Sequence, residues 1–427
     1  MQNKNLLYDI SDKPKTLREL FFYALQQLMA VFVATVLIAN ICGTPVSSCL
    51  FGAGCATLLY QLITGFKSPM FISSCGATCS AVIGALAASN GDYSTVMLGG
   101  LVILLVYGVF SLIVNMAGKA ALDRIFPAII VGPTTMVIGL NLAGFIPTYV
   151  QVASAYNMWG VLVALFTMTV VAVSSHYFKG FLKTVPFLLG LAAGYLLALV
   201  LTLTNVCNLI NFAEFHISSF FAVPEFTFLN ANISAISGNI VKVIALFIPV
   251  AVCALLEHYS DHKVLSNIIG TDLTETPGLH KTLLGDGCAS FLGTVLCGLP
   301  NTSYGESIAT TGFSRVASVR VISTAAFMII ALSFIAPVQA FIRSVPACVF
   351  GGCAMILYGY IIVSGLKTLL RSGADLNDNK NLVIVSVILT VGVSGIWLFS
   401  ESFAGVSLAM VLGVLLNVIL RGKKSNV

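Results

Sequence analysis

Twelve stretches of about twenty predominantly apolar residues are what most constrains this chain. A run of that length, coiled as an α-helix, matches the hydrocarbon thickness of a bilayer. The stretches lie at 18–40, 46–65, 94–117, 125–144, 157–178, 182–205, 240–262, 278–298, 317–340, 345–369, 381–399 and 403–421. Only 9% of the 427 residues are charged and 58% are hydrophobic, whereas about a quarter of an ordinary globular domain is charged. That excludes a soluble globular protein, and equally a disordered or fibrous one. The net charge of +5 does not point to nucleic acid, because the basic residues gather in short clusters between apolar runs and form no extended patch. The expected fold is an all-α polytopic membrane protein whose surroundings are the lipid bilayer.

Two further segments are apolar but too short, or too rich in glycine and polar residues, to be plain helices. One is 69–89, which begins Pro69-Met70-Phe71-Ile72-Ser73-Ser74-Cys75-Gly76-Ala77; the other is 299–314. With them the chain crosses fourteen times. Threading fourteen crossings from a cytoplasmic N-terminus puts 19 of the 21 lysines and arginines on the inner side and leaves only Lys242 and Arg343 outside, as the positive-inside rule requires. Both termini are then cytoplasmic, in a multi-pass protein of the cell membrane. The stretch 206–238, with Glu214 and Glu225 and no basic residue, falls outside. The polar N-terminus runs into a full-length span without a small-residue cleavage site, so no cleaved signal peptide is expected.

Residues 124–136 and 343–355 match at a constant offset of 219, at Arg124/Arg343, Pro127/Pro346, Ala128/Ala347, Gly132/Gly351 and Met136/Met355. The two irregular segments correspond too, Ser74-Cys75-Gly76 preceding Ser303-Tyr304-Gly305 by 229 residues. The spans divide into seven plus seven, and an odd number per half inverts the second half, as in secondary transporters. Each half then contains one crossing that is partly extended and partly helical, segments 3 and 10. Non-helical backbone at membrane depth persists only where it is buried in protein or lines a cavity. Two such crossings meeting near the midplane, with helix N-termini facing inward, make a small polar pocket suited to a small ligand.

Glu257, at the end of the apolar run 248–256, and Glu306, at the start of the second half-helix, are the most informative positions. A carboxylate within a membrane is usually paired, protonated or functional. As acceptors, both suit the ring N–H groups of a flat heterocycle, and a protonated one is a proton donor. The plainer readings are that Glu257 marks a span end and Glu306 caps a helix. Asp261 lies one turn after Glu257 on the same face. It is either the second half of a proton-handling pair or a solvated end residue. His258, rotated by about 100°, is expected to face packing or headgroups. Tyr304 and Tyr358 are candidates for stacking or hydroxyl contacts, and Asp286 for a structural hydrogen bond. His258 and His262 lack a third metal ligand, and the pairs Cys75/Cys79 and Cys348/Cys353 are read as small buried hydrophobes. No metal or cofactor is expected.

The runs Pro277-Gly278-Leu279-His280-Lys281-Thr282 and Pro300-Asn301-Thr302-Ser303-Tyr304-Gly305-Glu306, with Glu257-His258 upstream, resemble the nucleobase–ascorbate transporters, also called nucleobase–cation symporter family 2. The likeness is greatest to the bacterial uracil permeases and extends from Gln26 to Arg421. It implies fourteen segments in two inverted sevens. A core domain would comprise 1–117 and 240–340, a gate domain 118–205 and 341–427, and an outer loop 206–239, often in a homodimer. The resemblance assigns base binding to Glu257 and Glu306, backbone contacts to Cys75 and Gly305, and a lining role to Ala34. Gly76, Tyr304 and Tyr358 complete the expected pocket, with Glu257, Asp261 and Glu306 carrying protons. The implied activity is proton-coupled uracil import by movement of core against gate, without enzymatic chemistry. A xanthine- or urate-type purine symporter is the alternative cargo class. An anion transporter on the same plan would be expected to present a positive pocket.

The chain departs from the family pattern at several places. Gln26-Gln27 stands where Gln-His is common, and Cys75 where an aromatic is often found. Asp261 replaces a histidine seen in some uracil permeases. Ser307-Ile308-Ala309 replaces Asn-x-Gly, and Ser314-Arg315 replaces Thr-Arg.

Overall fold

A computed structural model describes residues 6–118, 127–152, 155–179, 182, 185–212, 219–232, 238–398 and 400–420. Lys4, Lys119, Arg124, Lys183, Glu214, Arg421, Lys423 and Lys424, all used in the topology argument, lie outside the described residues. The first half contains α1 (Leu17–Cys42), α2 (Val46–Ile63), the short strand β1 (Ile72–Ser74), α3 (Cys79–Ala88), α4 (Ser94–Ala117), α5 (Ala128–Ala143), α6 (Met158–Tyr177) and α7 (Pro186–Leu203). The second contains α8 (Ile240–Ile269), α9 (Leu279–Cys297), the strand β2 (Asn301–Ser303), α10 (Gly305–Ser314), α11 (Val319–Ser333), α12 (Ala347–Arg371), α13 (Asn379–Ser394) and α14 (Val406–Ile419).

Among the described residues, eight helices are long and apolar enough to cross a membrane, and four shorter helices are also apolar. The helices carry their apolar side chains outward as well as inward: Leu105 on α4 is 60% exposed and Leu203 on α7 is 65% exposed. In water such a surface would aggregate; against acyl chains it costs nothing. Polar side chains are instead buried, Gln27, Thr35, Thr57, Gln61, His258, His262 and Asp286 among them. A polar group inside a lipid-embedded protein must find its partners within the protein, so these residues mark where the interior is cross-linked.

The helix ends follow from local sequence. Thr16 caps α1 by accepting the Glu19 N–H at 3.2 Å, and Gly43, at φ +67°, closes it in the left-handed conformation, which costs a residue without Cβ little. Pro127 and Pro346, matched in the sequence repeat, cap α5 and α12 with nearly the same backbone angles (φ −64°, ψ 144° and φ −62°, ψ 147°). These two helices pack on each other so closely that a Cβ on Gly132 would stand 2.8 Å from the Gly365 carbonyl oxygen.

The predicted span 317–340 is not one helix. It breaks after Ser333, and a separate amphipathic helix occupies Ala336–Ser344. Pro337 lies in the first turn of that helix and suits a helix start. The backbone of Phe220 and Ala222 bonds to Ala336 and Phe334 across the break. The span expected at 403–421 likewise begins later, at Val406, because Trp397–Leu398 and Ser400–Ala404 are extended and pair antiparallel.

Two sets of helices emerge from the packing. In one, α2 packs on α9 and α11, α4 on α8 and α9, and α1 on α11. In the other, α12 packs on α5 and α6, α6 on α7, and α13 on α5 and α14. The strands β1 and β2 belong with the first set, in contact with α1, α2, α8 and α9.

Candidate functional site

Both irregular segments are extended and then helical, and their extended parts pair. β1 and β2 run antiparallel with Ile72 opposite Ser303, Ser73 opposite Thr302 and Ser74 opposite Asn301. The Cys75 N–H adds a bond to the Pro300 carbonyl at 2.9 Å. A two-stranded ribbon of three residues leaves half of its backbone groups unpaired, and surrounding hydroxyls take them up. Thr57 on α2 bonds both the N–H and the carbonyl of Ile72, at 3.0 and 2.9 Å, and Ser290 on α9 donates to the Asn301 carbonyl. Thr35 on α1 meets the Ser73 hydroxyl at 2.6 Å. The ribbon is thereby held by three helices.

β2 also bonds two carboxylates, the buried Asp286 and the partly buried Asp261, through adjacent side chains. The Thr302 hydroxyl donates to Asp286 at 2.7 Å, and the Ser303 hydroxyl donates to Asp261 at 2.8 Å. Successive side chains of a strand point to opposite faces, so one tripeptide bridges α9 on one side and α8 on the other. His258 does not turn to headgroups. It is fully buried, with Nδ1 3.1 Å from Asp286, and its ring lies 4.1 Å from that of His262. His262 continues the chain of contacts to the Tyr60 hydroxyl at 2.7 Å.

Immediately after β2, Tyr304 caps α10 with extended backbone, and Glu306 stands in the helix's first turn. No heavy atom lies within 4 Å of where a Gly305 Cβ would be, so this helix N-terminus faces open space. Backbone N–H groups there lack intrahelical partners and favour acceptors or negative charge. Glu306 is within electrostatic range of Glu257. Cys75, with Ala77, packs on Ala254 of α8, one turn before Glu257. Glu257 and Asp261 line a cavity of about 830 Å³ between α8, α5 and α12.

The remaining expected site residues are placed less directly. Tyr304 is 6% exposed and buried beside the ribbon. A Cβ on Gly76 would meet Ile361 of α12 at 3.5 Å, putting this glycine where the two helix sets meet. Ala34 is wholly buried in α1, and Tyr358 is 1% exposed within α12; neither is on the cavity wall. Sequence reading assigns no site role to Thr57, a lone hydroxyl in an apolar run, or to Thr302 and Ser303, whose polar run is marked as irregular but whose carboxylate partners lie on other helices.

A sequence model of the permease family matches residues 18–401. The chain belongs to that family. It is 37% identical over 430 residues to the uracil permease of Bacillus caldolyticus, covering 99% of this chain and 96% of that protein. Identity to the uracil permease of Bacillus subtilis is 34%, with 98% and 96% covered. For the uracil permease of Escherichia coli K12 it is 31%, with 96% and 93% covered. The fold is shared with the transmembrane domain of the cyanobacterial bicarbonate transporter BicA, at a TM-score of 0.64, 15% identity and coverage of 96% and 99%. It is also shared with SLC26A9, at 0.67 and 12% identity, with 95% of this chain and 66% of that one covered. The resemblance read from residues 257–306 is therefore borne out, and the protein is a permease rather than an enzyme.

Two of the permease's departures from the family pattern touch each other. The Ser307 hydroxyl donates to Gln27 Oε1 at 2.9 Å, and Gln27 Nε2 donates to the Thr311 hydroxyl at 3.0 Å and the Ser307 carbonyl at 3.4 Å. Gln27 therefore fixes the first turns of α10, on which Glu306 stands, to α1.

Proposed function

We propose that this permease imports uracil together with protons across the cell membrane by alternating access. The observation that carries the reading is the paired ribbon β1–β2 running directly into α10, with Glu306 in its first turn and Glu257 within electrostatic range. The relatives' names supply the cargo. In this reading Glu257 and Glu306 accept the ring N–H groups of the base. The backbone around Cys75 and Gly305 meets its carbonyl groups, with Gly76, Ala34, Tyr304 and Tyr358 shaping the surroundings. Flat heterocycles with alternating donors and acceptors suit such a site, because two carboxylates and helix N-terminal N–H groups give both kinds of partner.

Asp261 is the proposed proton carrier, alongside Glu257 and Glu306. Its bond from Ser303 gives the coupling a physical route. Protonating Asp261 weakens its hold as an acceptor on β2, and β2 leads without a break into Tyr304, Gly305 and Glu306. A proton on α8 and a base at α10 thus act on the same short segment. The transport step is movement of the first helix set (the core, 1–117 and 240–340) against the second (the gate, 118–205 and 341–427). Fourteen crossings as two inverted sevens, both termini in the cytoplasm, and the homodimer common in the family belong to the same proposal. The matched caps of α5 and α12 support the repeat, and the two packing sets support the division.

Uptake of labelled uracil into vesicles, with and without an imposed pH gradient, tests it. Uptake should rise with an inward proton gradient and collapse in Glu306→Ala. Uptake indifferent to the gradient, or unchanged in that variant, refutes the mechanism. A panel of unlabelled bases in which xanthine or urate competes better than uracil would reassign the cargo.

A further inference from the structure

The cavity beside Glu257 is far larger than a single pyrimidine ring, and its charges are sorted by depth. α8 enters its wall at Cys253 and Glu257 and leaves it at Asn267, a rise of about 15 Å from Glu257. α12 enters at Ser364 and leaves at Ser372, while α5 runs the other way, from Thr135 to Pro127. The close approach of Gly132 to Gly365 and Leu369 sets the last two in antiparallel register. The deep end therefore carries Glu257 and the mouth carries Lys367, Arg371 and Lys263, all three on the cavity wall.

These cations are not explained by orientation signals alone. Inner-side lysines and arginines are expected at helix ends, where they reach lipid headgroups from the outer surface of the bundle. Here all three line the open end of the cavity, with their side chains exposed there. Lys367 and Arg371 are one turn apart on one face, and Lys263 Nζ is held 3.9 Å above the Tyr259 ring. Among the described residues none of the three forms an ion pair with a carboxylate. The two acids on the cavity wall lie deeper, and Asp261 already accepts from Ser303. A guanidinium and two ammonium groups around an open mouth match a phosphate, and the N-terminus of α5 opens on the same rim.

We infer that the cavity takes a pyrimidine nucleoside 5′-monophosphate from the cytoplasmic side, its base toward Glu257 and its phosphate on Lys263, Lys367 and Arg371, and that the nucleotide blocks the permease. This rests on the proposed function for the base end and for the side on which the cavity opens. Along α8, Glu257 and Lys263 are about 9 Å apart, a distance comparable to that covered by a ribose and its phosphoester. A neutral base passes the cationic mouth, whereas a phosphorylated one is retained there and holds the two helix sets apart.

Equilibrium binding of labelled uridine 5′-monophosphate to the purified full-length protein in detergent tests this directly, with labelled uracil measured in parallel. The nucleotide should bind at least tenfold more tightly than uridine. The double variant Lys367→Gln/Arg371→Gln should weaken nucleotide binding at least tenfold while leaving uracil binding unchanged, and Arg371→Lys should weaken it less. Nucleotide enclosed in right-side-out vesicles should slow uracil uptake, and nucleotide added outside should not. Uridine binding as well as its monophosphate, or a double variant that still binds the nucleotide, overturns the inference. So does phosphatidylglycerol binding at these cations when the nucleotide does not, which would assign them to a headgroup. Loss of uracil binding alone, with the nucleotide still held, would refute the transport reading and spare this one; the reverse result would do the opposite.

Discussion

Replacing Gln27 by alanine removes a side chain that makes three hydrogen bonds to α10, all among residues at most 1% exposed. The loss leaves the Ser307 and Thr311 hydroxyls buried without that partner. An unsatisfied buried polar group costs about 1–3 kcal/mol, so Ser307→Ala, which orphans Gln27 Oε1, should cost a similar amount. Because α10 carries Gly305 and Glu306 in its first turn, the same displacement reaches the base. At about 1.36 kcal/mol per decade, each single variant should weaken uracil affinity roughly 5- to 160-fold if the whole cost falls on the bound state. The informative measurement is the double-mutant cycle. Once Gln27 is gone, Ser307→Ala removes a hydroxyl that has already lost its acceptor, so Gln27→Ala/Ser307→Ala should bind uracil about as well as the weaker single variant. Coupling between side chains in contact is usually 0.5–3 kcal/mol, enough to be read by calorimetry on the detergent-purified protein, with thermal stability recorded to confirm folding. Losses that multiply, or a Gln27→Ala protein with wild-type affinity, would show that Gln27 does not position α10.

Ser303→Ala removes the donor to Asp261. It should reduce accumulation driven by a pH gradient by about tenfold, the effect of one hydrogen bond to a charged group, while uracil exchange at equal pH continues; equal losses in both assays would disconnect Asp261 from coupling. Gly365→Ala places a Cβ against the Gly132 carbonyl oxygen and should destabilise the α5–α12 contact by about 1–3 kcal/mol. Gly359→Ala, on the same helix with nothing within 4 Å, should be neutral or stabilising by about 0.5–1 kcal/mol, and thermal unfolding monitored by size-exclusion chromatography separates the two. In the loop before α4, partial burial of Asp92 is outweighed by the N–H groups of Ser94 and Asn232, which hold its carboxyl below the usual aspartate range. Its contribution is present above that range and lost as pH falls through the lowered value, so Asp92→Asn should open the loop to protease at neutral pH and show no further loss on acidification.

Much of the architecture was legible because membrane solvent imposes it. Runs such as 94–117 became helices with the predicted limits, since an apolar run in lipid has no other way to satisfy its backbone. Where the prediction failed, the polarity signal was ambiguous. Residues 317–340 read as one apolar run, yet the chain breaks at Phe334–Ile335, where backbone from Phe220–Ala222 supplies partners that no local sequence announces. His258 packs inside the bundle, one of the two surroundings its position allowed, but its partner was not legible for a related reason. Helical periodicity turns it away from Glu257 but does not say that α9 brings Asp286 to meet it.

For the site, composition singled out Glu257, Asp261 and Glu306, because a carboxylate in an apolar run is costly wherever the run goes. The sequence also marked segments 69–89 and 299–314 as irregular. It did not contain the contacts between them. The pairing of β1 with β2, the two hydroxyls of β2 given to carboxylates on different helices, and the Gln27–Ser307 bond join residues separated by 16 to 280 positions. The three cations around the cavity mouth look, along the chain, like any inner-side lysines and arginines. Charge and hydropathy are properties of single residues and short windows, so the sequence determined which segments enter the membrane and which residues are expensive there. Hydrogen bonding and cavity shape depend on which distant segments are brought within 3 Å, and that was decided only by how the helices pack.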